Sequence, residues 1–167
     1  MIFNNFIEER EFYGREALKD IMKRGLFQNN PIKFTEYNCV YDAIIFDKKI
    51  ILVEIKIRDR IFDEYFLEYK KCKLILKEIK KTKLTKENID IIYINFLKDQ
   101  TVIWNINNFI YNDVPYEIKP MNESTFISRT NKVDKKVYLL NPYDGKQIDY
   151  KLDKEYLKNK YNQNDEN

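Results

Sequence analysis

The stretch YDAIIFDKKIILVEIKIRDR, residues Tyr41 to Arg60, decides how this chain folds. Two β-rich runs, Val40 to Phe46 and Ile50 to Ile57, flank Asp47-Lys48-Lys49, an arrangement that predicts a hairpin. The second run, IILVEIKI, is almost continuously apolar, as a strand buried on both faces requires. Glu54 and Lys56 interrupt it. With a side-chain period of two they share a face with Ile50 and Leu52, so that face is not simply a wet one. A carboxylate and an ammonium among Ile and Leu cost on the order of several kcal/mol unless each has a partner.

Asp42 interrupts the preceding strand in the same manner. A three-residue loop at 47–49 sets Phe46 opposite Ile50 and brings Asp42 opposite Glu54 on one face, with β-carbons roughly 5 Å apart. A two-residue loop would slip the register by one and send the two acids to opposite faces. Two carboxylates that face each other repel, so one takes a proton or both share a cation. A divalent ion with oxygen ligands resolves the conflict, and Mg²⁺ accepts two carboxylates while keeping several waters. Lys56, farther along the same face, is placed to orient a water nucleophile or to stabilise charge developing on a phosphate. The plainer alternative is an amphipathic edge hairpin whose Asp42, Glu54 and Lys56 are solvated or form ordinary cross-strand ion pairs.

The rest of the sequence narrows the chemistry. A chain of 167 residues, 44% hydrophobic and 34% charged, suits one domain with its own core. Lys and Arg number 30 against 27 Asp and Glu, a net charge of +3, so the overall balance does not announce a nucleic-acid partner. There is no histidine, which excludes a Ser-His-Asp triad, an imidazole acid or base and any His-ligated zinc. Two cysteines are too few for a four-thiolate zinc site, and Cys39 and Cys72 read as free thiols of a reducing compartment. With no signal-peptide pattern and no long apolar run, a soluble cytoplasmic protein is expected.

Outward from the hairpin, residues 4–24 carry a helical stripe of Phe6, Tyr13, Ala17 and Ile21, closed by Gly25. Lys33 to Asn38 is a short strand candidate, Asp63 to Lys81 a second helix, and Ile89 to Leu97 with Thr101 to Ile106 another strand pair. Val137 to Leu140 is a late strand. The string is α-β-β-β-α-β-β, one α/β domain over residues 1–155, followed by a polar, frayed tail at 156–167.

Asp42, eleven residues, then Glu54-Ile55-Lys56 resembles the signature of the PD-(D/E)XK nuclease superfamily, with Tyr41 where its name has Pro. The order of elements over residues 4–97 is similar to that superfamily's restriction-endonuclease-like αβββαβ core, a central mixed sheet flanked by helices. The residues from Trp104 onward resemble the C-terminal elaboration of small bacterial and phage members. The resemblance implies a Mg²⁺-dependent phosphodiester hydrolase acting on DNA, with Mn²⁺ as a substitute, leaving 5′-phosphate and 3′-hydroxyl ends. Asp42 and Glu54 would be metal ligands together with the Ile55 carbonyl, and Lys56 the catalytic lysine. A first-helix acid would join them, with Glu16 ahead of Glu9 and Asp20; a solvated helix residue is the plain reading of Glu16.

The helix after the hairpin supplies a residue near the scissile phosphate in related nucleases, and here Glu68, Tyr69 and Lys71 stand near its start. Lys70, Lys73 and Lys77 fall largely on the side away from Ile75 and Ile79, as a phosphate-tracking stripe would, although a solvated basic face is the simpler reading. Arg58 and Arg60 suit the same task. A small chain without a separable recognition domain points to structure-directed cutting, as in Holliday-junction resolvases of this fold, or to delivery by protein partners. Symmetric cutting of two strands would call for a homodimer. Recombination, repair, phage replication and defence all suit such an enzyme. The alternative is a non-catalytic nucleic-acid-binding or scaffold module that retains the fold.

Overall fold

The computed structural model describes residues 6–36, 39–58, 63–122 and 131–165. Along the chain run α1 (Phe6–Lys23), β1 (Ile32–Phe34), β2 (Ala43–Phe46), β3 (Ile50–Arg58), β4 (Tyr65–Glu68) and α2 (Tyr69–Lys80). There follow β5 (Ile89–Leu97), β6 (Thr101–Asn105), α3 (Asn107–Tyr111), β7 (Glu117–Asn122), β8 (Lys132–Leu140), β9 (Lys146–Ile148) and α4 (Lys154–Asp165). Among the described residues these strands form a six-stranded sheet in the order β1-β2-β3-β5-β6-β9 and a three-stranded sheet in the order β4-β8-β7. The larger sheet is mixed: β3 and β5 are parallel, and its other pairs are antiparallel. The protein is thus an α/β fold in which helices flank a mixed sheet.

The hairpin has the register that groups the charges. Phe46 pairs with Ile50, Ile44 with Leu52 and Ala43 with Val53. Strand β3 is covered on both sides, as its composition demands. Ile51, Val53 and Ile57 pack with Tyr13, Ala17, Leu18 and Ile21 of α1, while Leu52 packs with Cys72, Ile75 and Ile79 of α2. Each such fully buried aliphatic side chain contributes about 1.5–3 kcal/mol relative to an exposed one.

Two glycines shape α1. A Cβ at Gly14 would lie 2.8 Å from Cγ2 of Ile55, so the absent side chain lets the helix rest directly on β3 between Glu54 and Lys56. Gly25 adopts φ +96° just past the helix and donates its N–H to the Met22 carbonyl at 2.9 Å, a left-handed stop.

Several elements differ from the sequence expectation. The second helix begins at Tyr69 and not at Asp63, because Tyr65–Glu68 pairs as β4 with Val137–Leu140 of β8. Tyr65 and Leu67 are buried and Phe66 and Glu68 are not, the alternation of a strand. Its partner lies far along the chain, beyond the reach of local periodicity. The strand expected at Lys33 to Asn38 is shorter, Ile32–Phe34, and residues 37 and 38 lie outside the described ones. The stretch expected as a frayed tail carries α4, whose Leu157 is buried beside α1. Trp104 is a core anchor, its indole N–H donating to the Asn141 carbonyl at 2.9 Å. Both cysteines are free, and burial pushes the Cys72 thiol up to about 12. No helix among the described residues is long and apolar enough to cross a membrane.

Candidate active site

Strand direction sorts the polar groups of β3. Ile50 donates its N–H to Asn88 on the β5 side, and the Val53 carbonyl accepts from Asp42 on the β2 side. Even-numbered residues therefore bond toward β5 and odd-numbered ones toward β2. The paired part of β2 begins only at Ala43, so the backbone groups of Ile55 face past its start. The Asp42 carboxylate fills the gap, accepting the Ile55 N–H at 2.5 Å. The Ile55 carbonyl points the same way. The Asp42 backbone is itself held from just past β1, where Thr35 donates its N–H to the Asp42 carbonyl at 3.0 Å.

Glu54 lies on the α2 face of β3 with 1% of its side chain exposed. Lys56 Nζ stands 2.7 Å from its Oε1 and Lys71 Nζ, from the first turn of α2, 2.8 Å from its Oε2. Each Glu54 oxygen is thus engaged by one ammonium group. Burial first, and then the Glu54 charge, push the Asp42 carboxyl up to about 6, against the opposing pull of Lys56 and Lys71. Burial pulls the Lys56 ammonium down, but Glu54, Tyr93 and Asp42 outweigh it and hold the group well above the usual lysine range. That side chain still has 42% of its surface in solvent. Lys56 thus presents an ammonium group at the mouth of the site.

These groups line a cleft of about 870 Å³ between α1, β3, β4 and the β7–β8 hairpin. Asp42, Glu54, Ile55, Lys56, Arg58 and Lys71 all face it, so the structure gathers those expected site residues in one place. Lys71 leaves the exposed lysine row of α2 to meet Glu54. Lys70, Lys73 and Lys77 stay on that helix's exposed face, and Tyr69 packs against Tyr116 and Tyr138 at ring distances of 5.3 and 5.8 Å. Arg60 lies outside the described residues.

The α1 acids are placed differently from expectation. Glu16 pairs with Lys19 at 2.6 Å and does not line the cleft. Glu9 pairs with Lys154 at 3.4 Å, and Asp20 is buried beside Arg24 at 3.0 Å. The acid that α1 presents is Glu11, whose Oε2 is buried with no hydrogen-bond partner and stands 3.8 Å from Arg15. Burial raises its pKa, and Lys56, Glu54 and Lys71 all act on it. A signal for Glu11 was present in the sequence: Gly14 inside a helix marks the face that touches the sheet, and Glu11 lies one turn before it.

Two residues of β5 lie beside the site, Tyr93 lining the cleft and Asn95 buried behind it. Tyr93 and Asn95 of β5 pair in register with Glu54 and Lys56. Asn95 is fully buried and accepts from Arg58 Nε at 3.2 Å through Oδ1, while its Nδ2 has no partner. A single amide within the run IDIIYINFL was the legible sign. On the opposite wall Lys135 of β8 pairs with Glu68 at 3.1 Å.

The donor set suits a hard divalent cation. Asp42, Glu54 and Ile55 all line the cleft, and Glu11 adds a buried carboxylate oxygen with no hydrogen-bond partner, so the donors available there are oxygens. No group of three or more Asp, Glu, Cys or His residues is close enough to hold an ion by itself among the described residues. Such a site would lean on water for its remaining ligands, as Mg²⁺ does. Compared with protein-family models and with curated protein sequences, the chain matches none.

Proposed function

We propose that this chain is a divalent-metal-dependent nuclease that hydrolyses DNA phosphodiester bonds, on a restriction-endonuclease-like core. One observation carries the reading: buried Glu54 shares Lys56 and Lys71 beside Asp42, at the base of a cleft that also contains Arg10, Arg15, Arg58 and Lys135. An acidic floor that attracts a cation beneath a basic rim that attracts phosphates is the division of labour phosphodiester hydrolysis requires. The sequence order of α1, the β1–β3 meander, α2 and parallel β5, with β4 of the second sheet inserted before α2, supports the same reading.

Asp42, Glu54 and the Ile55 carbonyl would hold Mg²⁺, with Glu11 as the acid of α1 in place of Glu16. When bound, the ion would supply Lewis acidity toward a phosphate oxygen and toward the attacking water. Lys56, an ammonium group that is part-exposed, donates to the water nucleophile or to a non-bridging oxygen and offsets the charge that grows there. Arg58, held by Asn95, and Lys71, held by Glu54, fix positive charge along the substrate path.

The test is cleavage of labelled duplex, single strand, flap and four-way junction in Mg²⁺, Mn²⁺ or EDTA, with Lys56→Ala and Asp42→Asn beside the wild type. Metal-dependent cutting lost in both variants is the expected result. Binding of these substrates without cutting by the wild type would favour the non-catalytic module. Neither binding nor cutting would leave only a charged hairpin.

A further inference from the structure

Beside the cleft, at the start of α2, lies an aromatic and basic surface that the metal chemistry does not use. Tyr116 is 42% exposed and leans on Tyr69 with ring centroids 5.3 Å apart. Lys136 Nζ stands 4.5 Å from the Tyr116 centroid and 5.8 Å from that of Tyr69, and Lys73 Nζ stands 4.8 Å from Tyr69. Lys136 pairs across β7–β8 with Ile118, which is 61% exposed and extends the apolar part of the surface. Lys70, Lys73 and Lys77 border it along α2. The neighbouring acid Glu117 is taken by Lys119 at 2.8 Å, so the surface keeps its positive sign, with Asp113 as a nearby counter-charge.

A pair of rings, one of them exposed, with an ammonium group beside each suits one ligand chemistry: an unpaired nucleobase stacks on the exposed ring while its flanking phosphates meet the lysines. A paired base has both faces covered by its neighbours in the duplex and cannot use the ring. The surface touches the cleft through one continuous segment, since Glu68 lines the cleft, Tyr69 the platform, and Lys71 returns to Glu54. We infer that the Tyr69–Tyr116 platform, flanked by Lys73 and Lys136, binds single-stranded nucleic acid next to the cleft, and so selects substrates with unpaired nucleotides beside the bond to be cut. This rests on the nuclease reading for the second half of that statement and on the platform alone for the first.

The full chain in EDTA is titrated into a fluorescent oligothymidylate of about 20 nucleotides and, separately, into a duplex of the same length, followed by anisotropy. Tyr116→Ala should weaken single-strand binding about ten-fold or more, Tyr116→Phe should keep it, and duplex binding should change less than about two-fold. Lys73→Gln should reduce the slope of log affinity against log salt by about 0.7 on the single strand. Equal loss on both ligands, no loss on either, or no binding by the wild type overturns the inference. Cleavage in Mg²⁺ is read separately. A chain that cuts DNA while Tyr116→Ala binds normally keeps the nuclease reading and loses this one. A chain that binds single strands through Tyr116 and cuts nothing does the reverse.

Discussion

Glu54 of β3 and Lys71 of α2 meet at 2.8 Å across the seam between sheet and helix, and Lys56 closes on the other Glu54 oxygen at 2.7 Å. One buried carboxylate therefore serves two ammonium groups and leaves a net positive charge, and removing it leaves both without their partner. A buried pair broken from one side costs about 3–5 kcal/mol, but Lys56 and Lys71 are 42% and 27% exposed and can turn toward water. Glu54→Gln should thus destabilise the fold by about 1–3 kcal/mol in urea denaturation, and adding Lys71→Met should recover part of the loss. A double variant less stable than the single one would refute this account of the pair.

Asp42 makes stability depend on pH in an unusual direction. Its carboxyl titrates at about 6 in the folded protein against an ordinary value of 3.8. Between those values the folded state binds more protons than the unfolded one, so stability falls as pH rises through that window. The full shift would be about 3 kcal/mol, and because Asp42 keeps part of its surface in water, about 1–2 kcal/mol is expected. In EDTA, wild type minus Asp42→Asn should show this fall between about pH 4 and pH 6. A flat difference would mean that Asp42 is not held above its ordinary value.

Mg²⁺ should raise the Tm of the wild type at pH 7, where Asp42 is ionised, and EDTA should reverse the rise. Asp42→Asn should respond little. An equal rise in that variant would place the ion elsewhere.

The acids of α1 can be told apart by activity. Glu11→Gln should lower metal-dependent cleavage about ten-fold or more, since Glu11 faces the cleft, whereas Glu16→Gln, whose partner is Lys19, should change it less than about two-fold. The opposite ranking would return the role to Glu16.

Gly14→Ala tests how α1 seats on β3. Helix propensity alone would favour Ala by about 1 kcal/mol. The new Cβ would meet Ile55 at 2.8 Å, and forcing a methyl into such a contact costs about 1–3 kcal/mol. A lower Tm, with reduced activity as Glu11 is displaced, is expected; a higher Tm would show that the helix has room to shift.

Much of the site was legible because strand geometry is local. The period of two put Glu54 and Lys56 on the face of Ile50 and Leu52, and the loop at 47–49 put Phe46 opposite Ile50, as the structure has them. Asp42 reaches the same place by another route, since its side chain caps the Ile55 N–H where the ladder ends. Helix faces were harder. Glu9, Glu16 and Asp20 share an edge of α1 on the sequence, but the rotation of that helix on the sheet is set by Gly14 against Ile55, and it presents Glu11.

By itself, then, the sequence determined the hairpin, its register and a doubly buried β3 bearing two charges, because neighbours within a few residues set alternation and turn length. Only the tertiary structure decided that Lys71 turns inward to Glu54, that Glu11 is the α1 acid of the cleft, and that Tyr65–Glu68 pairs with Val137–Leu140 to build its far wall. Each depends on contacts between segments distant along the chain. There the free energy of packing two surfaces outweighs local preference, and no window of sequence contains both partners.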